Sequence, residues 1–248
     1  MSPDMDENAV SLRKVRRNAR RPIVIATLLV FLAGPSIAQD MKRQEPANVG
    51  DAKIAATEYY KSGAYQREVA AVIAQARSWI RERAPQVSKP AIVLDIDDTA
   101  LTNWQVIQAN DFGRVFGGPC RELPKGPCGW VAWDLRARIP ALMPTRELFK
   151  EARAAKVEVF FISGRDEPQR AATRINLRSQ GYGDYRGLYM PAKAQHFASA
   201  ADFKAPQRQK IEAAGYTIIA NIGDQPSDLA GGHAERTYLL PNPFYRIP

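Results

Sequence analysis

The segment Asp95-Ile96-Asp97-Asp98-Thr99 directly follows the apolar run Ala91-Ile92-Val93-Leu94, and no other junction constrains the chain as strongly. The run has the length and composition of a strand buried on both faces, and three carboxylates crowd its end. Carboxylates held close together repel one another and cost several kcal/mol to bury unless a cation neutralises them. The pattern therefore predicts a divalent metal at a strand end, serving chemistry on something anionic. Taken alone, the segment could also be a strand running into an acidic, solvated turn. Three motifs downstream weigh against that.

Strands and helices alternate after Pro90. Apolar runs place strands at 91–96, 157–163, 188–190, 217–222 and 237–240, and helices at 145–155, 168–179 and 203–214. Short apolar strands joined by helical crossovers predict an α/β fold with a mostly parallel sheet covered on both faces. Upstream, residues 39–50 are a polar linker. A helical pattern with Ile54, Tyr59, Val69, Val72, Ile73, Ala76 and Ile80 then runs over 51–83, interrupted at Gly63. Residues 39–90 thus form a linker and an N-terminal helical segment ahead of a core over 91–248. Between the first strand and the helix at Thr145 lies an insertion, about 101–143, rich in Trp, Phe, Gly and Pro. An insertion of that length at a strand end is expected to form a small cap.

Ligands of open parallel sheets bind at the carboxyl ends of the strands, and the chemical groups of this chain fall there. Asp95 and Asp97 end the first strand. Ser163-Gly164-Arg165 ends the second, and Gly223-Asp224-Gln225-Pro226-Ser227-Asp228 ends the strand over 217–222. Lys204, with Arg208 one turn later, starts the helix before that strand. A carboxylate can accept a phosphoryl group if a metal offsets the repulsion between them. A second carboxylate two residues on, at a bend, can reach the leaving oxygen as general acid and later activate water. Mg²⁺ takes oxygen ligands in near-octahedral geometry, and Asp95, the backbone carbonyl of Asp97, and Asp224 supply them. Asp228 binds directly or orients a metal-bound water. Ser163, Gly164 and Lys204 are placed to hold phosphoryl oxygens. Arg165 and Arg208 either contact phosphate or pair with nearby acids. His196 and His233 are expected at the surface.

The 248-residue chain opens with Arg13, Lys14, Arg16, Arg17, Arg20 and Arg21, then an apolar run over 23–33 and Ser36-Ile37-Ala38. This is the pattern of a secretory signal peptide over 1–38, too short to span a bilayer, and it predicts a periplasmic or secreted product without stable membrane association. Removing its six basic and three acidic residues lowers the formal charge from +9 to +6, a balance that favours approach of anionic substrates. The basic residues are scattered singly along the sequence, which argues against a nucleic-acid polymer as partner. Cys120 and Cys128 bracket a Pro/Gly-rich loop and, in an oxidising compartment, are expected to form a disulfide.

The motif set Asp95-Ile-Asp-Asp-Thr, Ser163-Gly-Arg, Lys204 and Gly223-Asp-Gln-x-Ser-Asp228 resembles the haloacid dehalogenase (HAD) superfamily, and more narrowly its subfamily IIIB acid phosphatases. Asn103, Thr173, Asn176-Leu177, Gly215-Tyr216 and the tail Leu240-Pro-Asn-Pro-Phe-Tyr245 extend the likeness. The resemblance implies a Rossmann-like core, Mg²⁺ as cofactor and hydrolysis of small phosphomonoesters. It assigns the nucleophile to Asp95, the acid/base to Asp97, metal binding to Asp95, Asp97 and Asp224, and phosphate contacts to Ser163 and Lys204. Class B and class C relatives stack nucleobases on cap aromatics. That makes 5′-nucleotides plausible substrates and singles out Trp104, Phe112 and Trp133, among cap rings that also include Phe116 and Trp130. The chain departs from the pattern at Asp98, where relatives carry Glu, and at Pro226, where plant members carry an aromatic. It also lacks a lipid-attachment Cys. Asp97 itself argues for phosphoryl chemistry over dehalogenation, because a halide leaving group needs no acid. The alternatives are a non-catalytic storage or phospholigand-binding protein on the same fold, and a phosphotransferase.

Overall fold

The computed structural model describes residues 46–121 and 123–248; the signal segment expected over 1–38 lies outside the described residues. Five strands, β1 (Pro90–Leu94), β2 (Glu158–Ile162), β3 (Gly187–Tyr189), β4 (Thr217–Gly223) and β5 (Thr237–Leu239), form one sheet in the order β3-β2-β1-β4-β5. Every pairing is parallel. This is the parallel α/β sheet that the alternation of elements predicts and the Rossmann-like core that the resemblance implies.

Side chains alternate across a strand, and in β1 both sets are apolar because both faces are covered. Ala91 and Val93 pack with Phe160, Ile162, Ile218 and Ile211 on one side. Ile92 and Leu94 join Val159, Phe161, Leu148, Phe149 and Ile73 on the other. The helices supplying that cover are α7 (Ala200–Ala213) on the first face, and α2 (Ala64–Arg83), α5 (Met143–Ala154) and α6 (Arg170–Ser179) on the second. β1 is therefore the most enclosed strand and carries its C-terminal loop into the centre of the sheet's edge.

The N-terminal helical segment forms two helices, as the break at Gly63 suggests. α1 (Val49–Lys61) starts at Asn48, whose side chain accepts the N–H groups of Gly50 and Asp51. Gly63 takes φ 75°, a left-handed conformation that suits glycine, and turns the chain into α2. α2 buries Tyr65, Val69, Ile73, Ala76 and Ile80 along one stripe. Ile54, expected inward, is instead 65 % exposed, and Ala56 is the residue α1 buries. α7 begins three residues before the expected 203, because Ser199 and Asp202 form a capping box. Lys204 thus sits inside the helix rather than at its start. α6 begins after a 3₁₀ turn over Glu167–Gln169. It sets Arg170, Arg174 and Arg178 around one concavity with Arg186, so basic residues that look scattered along the chain are clustered in space.

The insertion over 101–143 folds as α3 (Trp104–Ala109), a loop closed by the Cys120–Cys128 disulfide, and α4 (Trp130–Leu135). Asn110 ties the loop down by donating to the Cys128 carbonyl (2.8 Å) and accepting its N–H (2.7 Å). Trp104 stacks on Tyr60 of α1 with ring centroids 3.8 Å apart, and Tyr65, Phe112 and Phe244 gather around them. Cap and N-terminal helices thus share one aromatic core. Trp104→Ala should cost about 3–5 kcal/mol, the range for emptying a buried aromatic site, measured by urea unfolding. An unchanged midpoint would show that this core does not hold the N-terminal helices.

Candidate active site

The loop after β1 turns sharply enough to aim alternate carboxylates at one cavity. Asp98 adopts φ 52°, its N–H donates to the Leu101 carbonyl (2.7 Å), and the Leu101 N–H returns to Ile96 (2.8 Å). Asp98 itself closes the loop: its carboxylate accepts the Asn103 N–H (2.9 Å), the Asn103 side-chain amide (3.1 Å) and the Tyr245 hydroxyl (2.8 Å). Burial pushes its pKa up to about 6. Asn103 also donates to Asp97 (2.9 Å) and accepts from the Trp133 indole (2.8 Å), so one buried amide joins the loop to the cap.

Asp95 lies against Lys204, whose Nζ donates to Asp95 Oδ1 (2.5 Å) and to Asp228 Oδ1 (2.6 Å). All three side chains are buried. Burial lowers the proton affinity of an ammonium, but two facing carboxylates outweigh it and raise that of Lys204. Asp95 moves in the same direction for the opposite reason. Burial, helped by Asp228 and Asp97, outweighs its single cation and pushes it up to about 7.

Asp228 is positioned by its surroundings. Gly223 leaves room for it, since a Cβ there would stand 2.5 Å from the Asp228 Cβ. Arg208, fully buried, donates to the main-chain carbonyls of Asp228 (2.8 Å), Ala230 and Gly232 (2.8 Å). Between the two readings left open for Arg208, the structure gives a third: it braces the loop carrying Asp228. Asp224 accepts from Thr99 Oγ1 (3.2 Å), from Gln225 Nε2 (2.6 Å) and from Asn242 Nδ2 (2.6 Å). Burial, with Asp228 and Asp95 nearby, raises its pKa well above the carboxylate range.

Asp97 turns to the other side of the cavity. Arg165 donates to it twice, from Nε (3.0 Å) and Nη2 (2.6 Å). Burial would raise its pKa, but the guanidinium overrides that and holds Asp97 below the ordinary range. Arg165 therefore pairs with acids. It also lies 3.2 Å from Asp134 of α4, which accepts from Gln169 (2.7 Å) and which burial pushes up to about 7. Ser163 is fully buried and its Oγ accepts the Arg165 N–H (3.1 Å), while Gly164 lines the cavity with open space where a Cβ would project.

The cavity, about 400 Å³, is lined by Asp95, Asp97, Lys204, Asp224, Asp228 and Gly164 on its chemical side. Its rings are Phe116, Trp130, Phe197, Phe203 and Tyr245. The rings singled out from sequence are placed elsewhere: Trp104 and Phe112 pack against Tyr60 and Phe244, and Trp133 is buried behind Asn103. Trp104 and Trp133 face inward along the short helices α3 and α4, a periodicity too brief to read from sequence. His196 lines the rim and is exposed; His233 pairs with Glu212 at 2.6 Å. Sequence reasoning missed Asp134, Arg114, Gln169 and Tyr245, which reach the cavity from the cap, from the 3₁₀ turn before α6 and from the tail. Asp134 offered one signal, a carboxylate set among Trp130, Val131, Trp133 and Leu135 on an otherwise apolar helix.

The donor set fits a hard divalent cation. Asp95, Asp224 and Asp228 each offer an oxygen within 4.8 Å of the others, all three buried, and Lys204 alone cannot neutralise them. Oxygen-only donors of this charge suit Mg²⁺-like ions rather than softer metals. The Asp97 carboxylate, engaged by Arg165, stands apart from this trio.

A doubly covered parallel sheet with an Asp-x-Asp pair, a lysine and an acidic loop at its strand ends is the layout of a Rossmann-like phosphatase core. The model of the HAD superfamily, subfamily IIIB (acid phosphatase), matches residues 37–248, and the chain belongs to that family. It is accordingly an acid phosphatase of HAD type. Stem 28 kDa glycoprotein of Glycine max is 29 % identical over 197 residues, covering 78 % of this chain and 74 % of the relative. Acid phosphatase 1 of Solanum lycopersicum is 31 % identical over 157 residues, covering 62 % and 58 %. The class C acid phosphatase from Bacillus anthracis superposes with a TM-score of 0.61 at 20 % identity, over 79 % of this chain and 85 % of that one, a likeness of fold.

In the metal-free protein Asp95 holds its proton to about pH 7, whereas its ordinary value is 3.8. The folded state therefore loses stability as pH rises across that window. A cation must displace the proton, so at one fixed Mg²⁺ concentration the gain in Tm should be larger near pH 8 than near pH 5. Equal gains at both pH values would dissociate the carboxylate trio from metal binding.

Proposed function

We propose that the chain is an exported, Mg²⁺-dependent phosphomonoesterase working through an aspartyl-phosphate on Asp95. The observation that carries this reading is the placement of Asp95 and Asp97 on opposite sides of one cavity floor, each against its own buried cation. Lys204 engages Asp95 Oδ1 and leaves Oδ2 without a hydrogen bond among the described residues, available to attack phosphorus. In that step a P–O bond forms to Asp95 and the bond to the leaving oxygen breaks.

Asp97, held ionised by Arg165 in the free protein, gains proton affinity when a phosphoryl dianion arrives beside it. It takes up a proton from solvent and passes it to the leaving alkoxide, which departs as alcohol. As carboxylate it next takes a proton from water, whose oxygen attacks phosphorus and frees Asp95 and phosphate. Asp95, Asp224 and Asp228 would hold the cation, which when bound offsets the negative charge of nucleophile and phosphate. Lys204 and the Gly164 backbone stand where the transferring oxygens pass, and Lys204 keeps its charge throughout.

The apolar walls from Phe116, Trp130, Phe197, Phe203 and Tyr245 suit organic monophosphates, 5′-nucleotides among them. Export is supported by the basic and apolar pattern of residues 1–38 and by the Cys120–Cys128 disulfide, which belongs to an oxidising compartment. Among the described residues no helix is long and apolar enough to cross a membrane.

Asp95→Asn keeps the shape of the side chain and removes the nucleophile, so turnover of p-nitrophenyl phosphate should fall by about 10³-fold or more with the circular-dichroism spectrum unchanged; near-native kcat would refute the assignment. Asp224→Ala should raise the Mg²⁺ concentration needed for half-maximal activity by about tenfold or more, and an unchanged requirement would remove Asp224 from the ligand set.

A further inference from the structure

Arg114 has no place in the chemistry above. It belongs to the loop between α3 and α4, and that loop fixes it: the Trp130 N–H donates to the neighbouring Val115 carbonyl (2.6 Å), and the Gly129 N–H to Pro119 (3.2 Å). Its side chain lines the cavity that holds Asp95, Asp97 and Lys204. The guanidinium lies over three rings, with its carbon 4.6 Å from the Phe116 centroid, 5.3 Å from Trp130 and 5.6 Å from Tyr245. Its Nε is buried without a hydrogen-bond partner, and among the described residues Arg114 forms no ion pair. The other arginine lining the cavity, Arg165, is held by Asp97 and Asp134. Asp134 accepts from Gln169 at one oxygen and lies 3.2 Å from Arg165 through the other, which has no hydrogen bond; the Arg114 charge favours the ionised forms of Asp134 and Asp97 without bonding to either.

A cation that aromatic faces hold in place, with its donors unspent, is cheap to keep ready for an incoming anion. Ring quadrupoles stabilise the charge, while a protein carboxylate in the same place would occupy the fork that a ligand could use. The transferring phosphate does not need this fork, because Lys204 and the Gly164 backbone already serve it. The part of the substrate that faces the cap is the leaving group.

We infer that Arg114 binds a second anionic group on the leaving group, so that the preferred substrates are phosphomonoesters carrying an additional carboxylate or phosphate. The inference rests on the phosphomonoesterase reading and names its substrate class. The Phe116, Trp130 and Tyr245 rings form the apolar part of the same subsite, enclosing the carbon skeleton between the two anions. Because Arg114 meets a group remote from the reacting phosphorus, it stabilises ground state and transition state alike. Its contribution should therefore appear in KM rather than kcat.

The test compares kcat and KM for matched pairs: glycerol 3-phosphate against 3-phosphoglycerate, and adenosine 5′-monophosphate against adenosine 3′,5′-bisphosphate. The wild-type enzyme should favour the more anionic member of at least one pair by about tenfold or more in kcat/KM, with the difference in KM. The pair that responds tells carboxylate from phosphate. Arg114→Gln should bring that ratio close to one, and Arg114→Lys, which keeps the charge but loses the fork, should retain part of it. No preference in the wild-type enzyme overturns the inference, as does an Arg114→Gln variant that loses activity equally on both members. If the glutamine variant does not fold, the wild-type ratio and the lysine variant decide. Failure of the phosphatase reading itself would look different: no turnover of p-nitrophenyl phosphate with Mg²⁺ by the wild-type protein.

Discussion

Six aspartates, Asp95, Asp97, Asp98, Asp134, Asp224 and Asp228, are buried or nearly so at one end of the sheet, and two cations, Lys204 and Arg165, hold four of them. Lys204 stands between Asp95 and Asp228, and Arg165 between Asp97 and Asp134. Uncompensated carboxylates in such a place would neutralise themselves by taking up protons, and four of them, Asp95, Asp98, Asp134 and Asp224, tend that way. Asp97 moves the other way, kept charged by a bidentate arginine. On the proposed mechanism the division matters, because two-step phosphoryl transfer needs carboxylates with different proton affinities a few residues apart. Here the difference comes from the partner each one faces. β1 and its loop deliver Asp95 and Asp97 together, and α7 and the loop after β2 separate their fates.

Much of this was legible in the chain. The apolar β1 run ending in Asp95-Ile-Asp-Asp announces a fully covered parallel strand with acids at its end, and each later motif follows an apolar run in the same way. The element boundaries moved where local caps decided them: α7 starts early because Ser199 and Asp202 satisfy its first N–H groups, and β1 stops at Leu94 because the chain bends into the Asp98 turn. The cap was the least readable part. α3 and α4 are six residues each, too short for a period to show which ring faces inward. Trp104 and Trp133 became core, and Phe116 and Trp130 became wall. Arg208 was ambiguous for a related reason: its partners are backbone carbonyls, which carry no sequence signature.

The N-terminal helices are more than a leader to the core. α1 brings Tyr60 to Trp104, and Trp79 of α2 donates its indole N–H to the Ile219 carbonyl of β4 (2.7 Å). These helices brace both the cap and a central strand, so the catalytic end of the sheet has packed support on the side away from α7. The tail contributes at the same place, with Phe244 in the aromatic cluster and Tyr245 bonded to Asp98.

Asn103 gives this arrangement an unexpected sensitivity. Its carbonyl oxygen holds the Trp133 indole, and its amide nitrogen holds Asp97 and Asp98. The cap and Asp97 are therefore fastened by one planar amide, and a second time through Arg165, which holds both Asp97 and Asp134 of α4. Moving the cap would disturb both links at once, so the state of Asp97 is coupled to where the cap sits. A change at Trp133, out of reach of any bound compound, would register as an altered pH–rate profile.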